Sequence, residues 1–409
     1  MTSAEMTKSF ADQVRETEAR HVLQTYTRAP IVLVRGQGAR VWDTEGKDYL
    51  DFTSGVGVAS LGHANPGLAR VIAEQAATLV HTSNLFFHPY QAELSQKLAG
   101  LSGLDRAFFC NSGTEAMEAC LKFARRYWYT KGDRQRTGFV SLTRAFHGRT
   151  FGSLSITADP HYREPFGPLV PGVTFVDPAD PAALETAVTG QTAAIVVEPI
   201  QGEGGVRPLS AAFVAALRAA ADRTGTLVIA DEVQSGLGRT GEAFYSTALG
   251  LRPDLIAIGK ALGGGIPIGA ALLREPIGQA VARGDHGSTY GGNLLACRAG
   301  LYFVDQLLDG GLLAHVTGVG AHLERRLQGI AAAHPMVSEI RGAGLFRGLE
   351  IDRLASEIVE AARPLGLLVN ATAKTVVRLL PPLTITAAEI DEAMDRLDQA
   401  FAVVEGEVK

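Results

Sequence analysis

Short, largely apolar runs recur through the middle of the chain, at residues 107–110, 139–142, 194–197, 226–230, 255–258 and 270–273. Runs of this length, rich in β-branched and aromatic residues, fit strands buried on both faces. Most are separated by longer stretches with helical spacing, such as 115–127 and 211–223. Apolar strands alternating with helices predict an α/β fold, with a large domain built on a mostly parallel sheet covered by helices. The two ends read differently. Residues 31–34 and 40–42 flank Gly36 and Gly38 as the arms of a hairpin do, and the tail offers 367–369 and 376–380 ahead of Pro381 and Pro382. Thr386 followed by Glu389 forms a capping box, in which each side chain satisfies the other residue's free backbone N–H, and so predicts the start of a last helix. These features predict a smaller α+β domain drawn from both termini, with residues 1–60 joining 311–409, around a large domain at 61–310.

Composition narrows the function. A chain of 409 residues favours more than one packed unit, and 46% hydrophobic with 20% charged residues is the balance of a folded protein. With 38 Lys+Arg against 43 Asp+Glu, the net charge of -5 provides no bulk basic field for a nucleic acid, so small molecules are the expected partners. The first twenty residues are studded with charge, unlike a signal peptide, and no apolar run reaches membrane-spanning length. A soluble, cytoplasmic protein is expected. Cys110, Cys120 and Cys297 are an odd number without a CxxC pair, so no disulfide framework is implied. The ten histidines show neither HExxH nor a tight cluster with cysteine, so no protein-ligated metal is expected. Demanding chemistry therefore needs an organic cofactor or a bare side-chain site.

Four polar residues interrupt the strand pattern at its ends: Asn111, Glu198, Asp231 and Lys260. In open α/β sheets ligands bind beyond the carboxyl ends of the strands, so these four point to one shared site. Lys260 closes an apolar run and enters the turn Gly263-Gly264-Gly265. A lysine at a strand end is ordinarily a surface cation; it becomes a nucleophile where burial or neighbouring charge lowers its pKa from about 10.4. Asp231 lies 29 residues before Lys260, the length of one strand–helix–strand unit, which predicts both at one sheet edge. Asn111-Ser112-Gly113-Thr114-Glu115 opens a helix directly after a strand, where free N–H groups and hydroxyls suit a phosphate, although the same residues also cap helices with nothing bound. Gly259-Lys260 lacks the Ser/Thr of a P-loop, and the run from Gly202 to Arg207 breaks the dinucleotide-binding pattern at its last glycine.

Several motifs in fixed order carry a resemblance over nearly the whole chain: Arg40-Val-Trp-Asp through Gly62-His-Ala-Asn-Pro, Phe146-His-Gly-Arg-Thr, Glu198-Pro-Ile-Gln-Gly-Glu-Gly-Gly, the run Asp231 to Gly241, Gly259-Lys260, and Ser288-Thr-Tyr-Gly-Gly-Asn. Together they resemble the class III pyridoxal-phosphate aminotransferases, which have the type I fold of the pyridoxal-phosphate-dependent transferases. Ser83-Asn-Leu-Phe and Val377-Arg-Leu-Leu-Pro-Pro-Leu are most similar to the acetylornithine branch. The sequence departs from that pattern at Phe87, Met117, Tyr290 and Leu294.

The resemblance implies that Lys260 holds pyridoxal phosphate covalently and moves the proton, that Asp231 pairs with the ring nitrogen, and that Phe146 stacks on the ring. It places Gln234 at the ring hydroxyl, Ser112, Gly113 and Thr114 at the phosphate, and His147, Glu198, Val233 and Ser288 around the cofactor. Thr289 resembles a threonine that reaches the neighbouring subunit's phosphate, which implies a homodimer. For substrates it implies Arg149 at the carboxylate shared by both, Arg378 at glutamate's α-carboxylate, Glu203 as the partner of Arg378 when an ω-amine is bound, and Ser54 and Val56 beside them. The implied reaction passes an amino group from an ω-amine, N-acetylornithine foremost, to 2-oxoglutarate. Ornithine, succinylornithine, 4-aminobutyrate or a lysine-pathway amine as donor, racemisation or aminomutation, and a non-catalytic binding module remain open at this stage.

Overall fold

A computed structural model describes residues 8–406. The charged N-terminal stretch considered above begins outside them, in residues 1–7. The seven strands of the central sheet run, in spatial order, Arg106–Cys110, Gly269–Leu273, Leu255–Ile258, Leu227–Asp231, Thr192–Val197, Gly138–Leu142 and Val173–Val176. The five from Leu255–Ile258 to Val173–Val176 are parallel to their neighbours, and Gly269–Leu273 runs antiparallel to the strands on both its sides. The apolar runs are continuous because both faces are covered. Ile195, Val197, Val228, Ala230, Ile256 and Ile258 join one core, which includes Phe213 and Leu217 of the helix Ala211–Thr224. Their neighbours Ala194, Val196, Leu227, Ile229, Leu255 and Ala257 join a second, with Met117, Cys120 and Phe123 of the helix Gly113–Thr130. Successive strand residues point to opposite faces, so two buried faces leave no room for polar alternation.

Two features depart from the sequence pattern. Val173–Val176 is a further edge strand in which only Val176 is buried, so it carries no continuous apolar signal. Leu227–Asp231 and Leu255–Ile258 do pair in parallel, but the connection holds a single helical turn, Tyr245–Ala248, and no crossover helix. Leu237, Gly238 and Gly241 all adopt positive φ there, which breaks any helix.

The chain ends meet in a second sheet, where Leu33–Gln37, Arg40–Asp43 and Asp48–Asp51 form a meander and Leu367–Leu368 lies parallel to Asp48–Asp51. A third sheet, in the order Val337–Ala343, Phe346–Ile351, Val376–Leu379 and Asn370–Thr372, packs near the helices Leu312–Ala333 and Ala355–Ala362, and the last helix, Ala387–Glu405, packs on both of these. The last helix begins at its capping box, with the Glu389 N–H donating to Thr386 Oγ1 at 3.2 Å and the Thr386 N–H to Glu389 Oε2 at 2.9 Å. All three cysteines are buried and unpaired. Among the described residues no helix is long and apolar enough to cross a membrane.

The two long helices are pinned by His334, buried at the end of Leu312–Ala333. Its Nδ1 lies 2.6 Å from Glu405 and its Nε2 3.0 Å from Asp398, with the ring stacked on Phe401. Burial alone disfavours the imidazolium, but the bonds to the two carboxylates outweigh it and raise the His334 pKa. A raised folded-state value makes this contribution to stability complete below the unfolded pKa of about 6.5 and lost as pH climbs through the folded value. In thermal melts His334→Gln is expected to lie below the parent at pH 6 by about 1–3 °C more than at pH 9. A pH-independent gap between the two would show that the charged form contributes nothing.

Candidate active site

Three strand ends and one helix start converge with almost no space between them. The helix Gly113–Thr130 is capped by the Ser112 hydroxyl, which accepts the Glu115 N–H at 3.3 Å, while the Gly113 and Thr114 N–H groups at its first turn have no intrahelical partner. A Cβ on Gly113 would stand 2.6 Å from Val233 Cγ1, and one on Gly259 would stand 3.0 Å from the Gly113 nitrogen. Glycine at both positions therefore lets the turn bearing Lys260 and the helix start meet backbone to backbone, with the Val233 side chain packed against both. The Thr114 hydroxyl faces Thr150 Oγ1 at 2.8 Å and Ser153 Oγ at 2.6 Å. Glu118, one turn further along the same helix, gathers the Gly152 and Ser153 N–H groups and the Thr150 hydroxyl. Thr150, Ser153 and Glu118 were not singled out from the sequence; the i, i+4 spacing of Thr114 and Glu118 on one helix face was the available signal.

Asp231 is buried, with Oδ2 accepting from His147 Nδ1 at 2.7 Å and Oδ1 from the Val233 N–H at 3.1 Å. His147 is buried as well, its backbone N–H donating to Thr157 Oγ1 at 3.0 Å, and its Nε2 has no partner among the described residues. Glu198 accepts from the Phe146 N–H at 2.9 Å and the Gly202 N–H at 3.0 Å, so it fastens the Phe146 segment to the glycine loop. Burial pushes its carboxyl up, to about 7, against the opposing pull of His147. Phe146 meets Tyr162 edge-on at 6.1 Å, and the Arg149 guanidinium lies over Tyr162 at 3.9 Å and over Phe146 at 5.5 Å. Among the described residues Arg149 has no carboxylate partner, which leaves its charge free for a ligand.

Lys260 adopts φ +40° at the start of a short 3-10 turn, a conformation costing a non-glycine residue roughly 1–2 kcal/mol. Its amine donates to no protein acceptor among the described residues. The side chain keeps some contact with solvent, yet enough protein surrounds it that burial, aided by the Arg378 charge, lowers its pKa to about 8 against the pull of Glu203, Asp231 and Glu198. Arg378 Nη1 donates to Glu203 Oε1 at 2.6 Å and to Gln234 Oε1 at 3.2 Å, and its Nε to Asn370 Oδ1 at 3.3 Å. The Arg378 side chain is 2% exposed and that of Glu203 38%. Burial raises the Glu203 pKa, but Arg378 overcomes this and holds the carboxyl below its ordinary value.

The remaining sequence-derived residues divide. Ser54 is buried and its hydroxyl donates to the Leu380 carbonyl at 2.6 Å, so in this left-handed turn Val56, at φ +61°, is the residue presented to solvent. Ser288 accepts from Asn111 Nδ2 at 3.2 Å, close to the start of the helix Gly113–Thr130, whereas Thr289 is exposed and makes no hydrogen bond among the described residues.

The chemistry of this donor set fits pyridoxal phosphate. Unpaired N–H groups at the start of an 18-residue helix suit its phosphate, a buried carboxylate oriented by histidine suits a protonated ring nitrogen, and a lysine with a lowered pKa suits its aldehyde. Comparison with known proteins agrees. Residues 22–401 match the model of the family described as aminotransferase class-III. The acetylornithine aminotransferase of Methanocaldococcus jannaschii is 43% identical over 95% of this chain and 98% of that protein. Among solved structures, N-acetylornithine aminotransferase from Stenotrophomonas maltophilia aligns at TM-score 0.82 and 33% identity over 94% of this chain and 98% of that one. Ornithine aminotransferase from Toxoplasma gondii, with partial occupancy of PLP at its active site, aligns at TM-score 0.93 and 33% identity over 97% of this chain and 95% of that one. Fold, site and similarity converge, and the chain belongs to the class-III aminotransferases, enzymes that depend on pyridoxal phosphate.

Proposed function

We propose that this chain moves the terminal amine of N-acetylornithine to 2-oxoglutarate, giving N-acetylglutamate semialdehyde and glutamate. The observation that carries the reading is the Arg378–Glu203 pair beside Lys260. An ω-amine donor has no carboxylate on the reacting carbon and glutamate has one, so a pocket serving both needs a positive charge that can be covered and uncovered. Arg378 takes glutamate's α-carboxylate, and Glu203 covers Arg378 when the alkyl chain of the donor is bound. Arg149, unpaired and stacked on Tyr162, takes the far carboxylate that both substrates share. Val56 lines the substrate side, and Ser54 holds that turn against Leu380.

Lys260 would hold the cofactor, Asp231 would meet its ring nitrogen, Phe146 its ring face and Gln234 its hydroxyl, with Ser112, Gly113 and Thr114 at the phosphate and Glu198 and Val233 behind. Pyridoxal phosphate, when bound, supplies an electron sink for the carbon bearing the amine. Lys260 Nζ would take the proton from the amine-bearing carbon of the donor and, in the second half-reaction, would give a proton to the carbon of 2-oxoglutarate that receives the amine, which a pKa near 8 suits at neutral to mildly alkaline pH. His147 keeps Asp231 aimed.

The assembly is a homodimer. Leu85, Phe86 and Phe87 are consecutive and strongly exposed, with Tyr290 exposed nearby. Asn84 Nδ2 donates to the Gly291 carbonyl at 2.9 Å and His88 Nε2 to that of Gly292 at 2.7 Å, so both segments present one apolar face. Thr289 lies within it, where it could serve the second subunit's phosphate. Residues 61–310 act as the cofactor-binding domain, 1–60 and 311–409 as the small domain, and the enzyme works in the cytoplasm.

A donor screen tests the substrate. N-acetylornithine is expected to convert the aldehyde form of the enzyme, followed by absorbance, with higher kcat/KM than ornithine, succinylornithine or 4-aminobutyrate. A preference for any of those three would replace the proposed donor. Lys260→Ala is expected to keep the fold, checked by melting, and to lose at least about a thousandfold in turnover, because it removes both the attachment point and the base; activity within about tenfold of the parent would refute the assignment.

Glu203→Ala separates a gate from an ordinary ion pair. Arg378 then stands uncovered, so glutamate should react as well as before or better, while the ω-amine meets an unpaired charge. The ratio of the two half-reactions' kcat/KM is expected to shift by about five- to thirtyfold against the ω-amine, about 1–2 kcal/mol. Single-turnover kinetics of each half decides it, and an equal fall in both would make Glu203 structural.

A further inference from the structure

The gate loop is held from the sheet that carries its arginine. Arg341, Gly348 and Arg378 lie directly opposite one another on three neighbouring strands, as cross-strand partners in unbroken register. Partners of this kind sit about 5 Å apart on a common face. The central position has no side chain, and a Cβ there would stand 2.8 Å from Val206 Cβ, so the gate loop rests on the sheet at Gly348. On one side of that seat Arg378 grips the Glu203 carboxylate at 2.6 Å. On the other, Arg341 donates twice to the Gly205 carbonyl, from Nε at 3.1 Å and Nη2 at 2.9 Å. Arg341 is itself buried and fixed by Glu350 Oε2 at 2.6 Å. The loop between the two grips is unusual, with Gly205 at φ +103° and Val206 at φ +52°, conformations that a released loop would abandon.

We propose that Arg341 is a positioning residue for substrate selection. It fixes the backbone of the gate loop, so that Glu203 opens and closes over Arg378 by side-chain rotation alone. The inference rests on the reading of Glu203 as a gate. Burial favours this division of labour: Arg378 has nowhere to go, the Glu203 side chain reaches solvent, and the Glu203 carbonyl is pinned separately by Thr372 Oγ1 at 2.7 Å. A guanidinium suits the task because its planar fork serves the carbonyl and Glu350 at once, which the single ammonium of lysine cannot reproduce.

The test compares Arg341→Gln and Arg341→Lys with the parent, each as holoenzyme, by single-turnover kinetics of both half-reactions. The lysine variant, which keeps a cation against Glu350, secures the experiment if the glutamine variant fails to fold. Both variants are expected to shift the ratio of half-reaction kcat/KM against the ω-amine by about three- to tenfold, the direction expected for Glu203→Ala. Combined with Glu203→Ala, neither should shift the ratio further, because the residue acts through Glu203. An equal loss in both half-reactions, or an undiminished shift in the absence of Glu203, would overturn the proposal. If Glu203→Ala alone leaves the ratio unchanged, the gate reading fails first and this inference falls with it; if Glu203→Ala shifts the ratio and the Arg341 variants do not, the gate stands and only the clamp is wrong.

Discussion

The contact between Gly259 and Gly113 sets the geometry of the site. A strand end and a helix start meet at a distance that leaves no room for a methyl group, and Val233 closes the third side. The proposed chemistry hangs from this junction: Lys260 is the next residue after Gly259, the proposed phosphate cradle begins at Gly113, and Asp231 lies two residues before Val233. A side chain on either glycine would displace the nucleophile relative to the cradle, and displacements of about 1 Å at a reacting centre are costly. The antiparallel strand Gly269–Leu273 belongs to the same solution. After Lys260 the chain turns through Gly264 at φ +58° and Gly265 at φ +123° and returns beside Leu255–Ile258, so the lysine sits on a tight turn between two hydrogen-bonded strands.

The site then has to hold charge where water is scarce. Lys260 and Arg378 lie among Glu203, Asp231 and Glu198, and the effects are mutual: the cations hold Glu203 down, while burial lifts Glu198 and lowers Lys260. Burial is the largest influence on Lys260, so the lowered pKa of the amine comes from its enclosure at the strand end more than from any one neighbour. The acids prevent it from falling further. A base with a pKa near 8 is available at working pH and still strong enough to take a proton.

The central sheet was legible in the sequence because burial on both faces writes nearly continuous apolar runs, and the residues at the ends of those runs lie at the candidate site. Val173–Val176 was not legible, since an edge strand with one buried residue has no such run. The helix expected between Asp231 and Lys260 is absent for a reason invisible to periodicity. Arg239 is fully buried there and donates to the Pro381 and Leu345 carbonyls, so the segment ties the central sheet to the ends of strands in the third sheet and does not pack as a crossover helix. The His147–Asp231 bond joins residues 84 apart, and Arg341 reads in the sequence as one more strand arginine. Motif resemblance put His147 and Asp231 around one cofactor without pairing them; only the register of three strands revealed the place of Arg341.

In the proposed gate, that register makes the carboxylate, and not the arginine, the moving part. Arg378 is committed to Asn370, Gln234 and Glu203 from within a strand, and an arginine buried without any anion would cost several kcal/mol. Withdrawing Glu203 is therefore tolerable only when another carboxylate arrives to take its place. Glutamate and 2-oxoglutarate bring one and an ω-amine donor does not, so the substrate itself determines which state of the pair is stable. Selectivity of this kind needs no domain motion. It needs an immobile cation, a carboxylate free to rotate, and a backbone beneath that carboxylate which stays where it is.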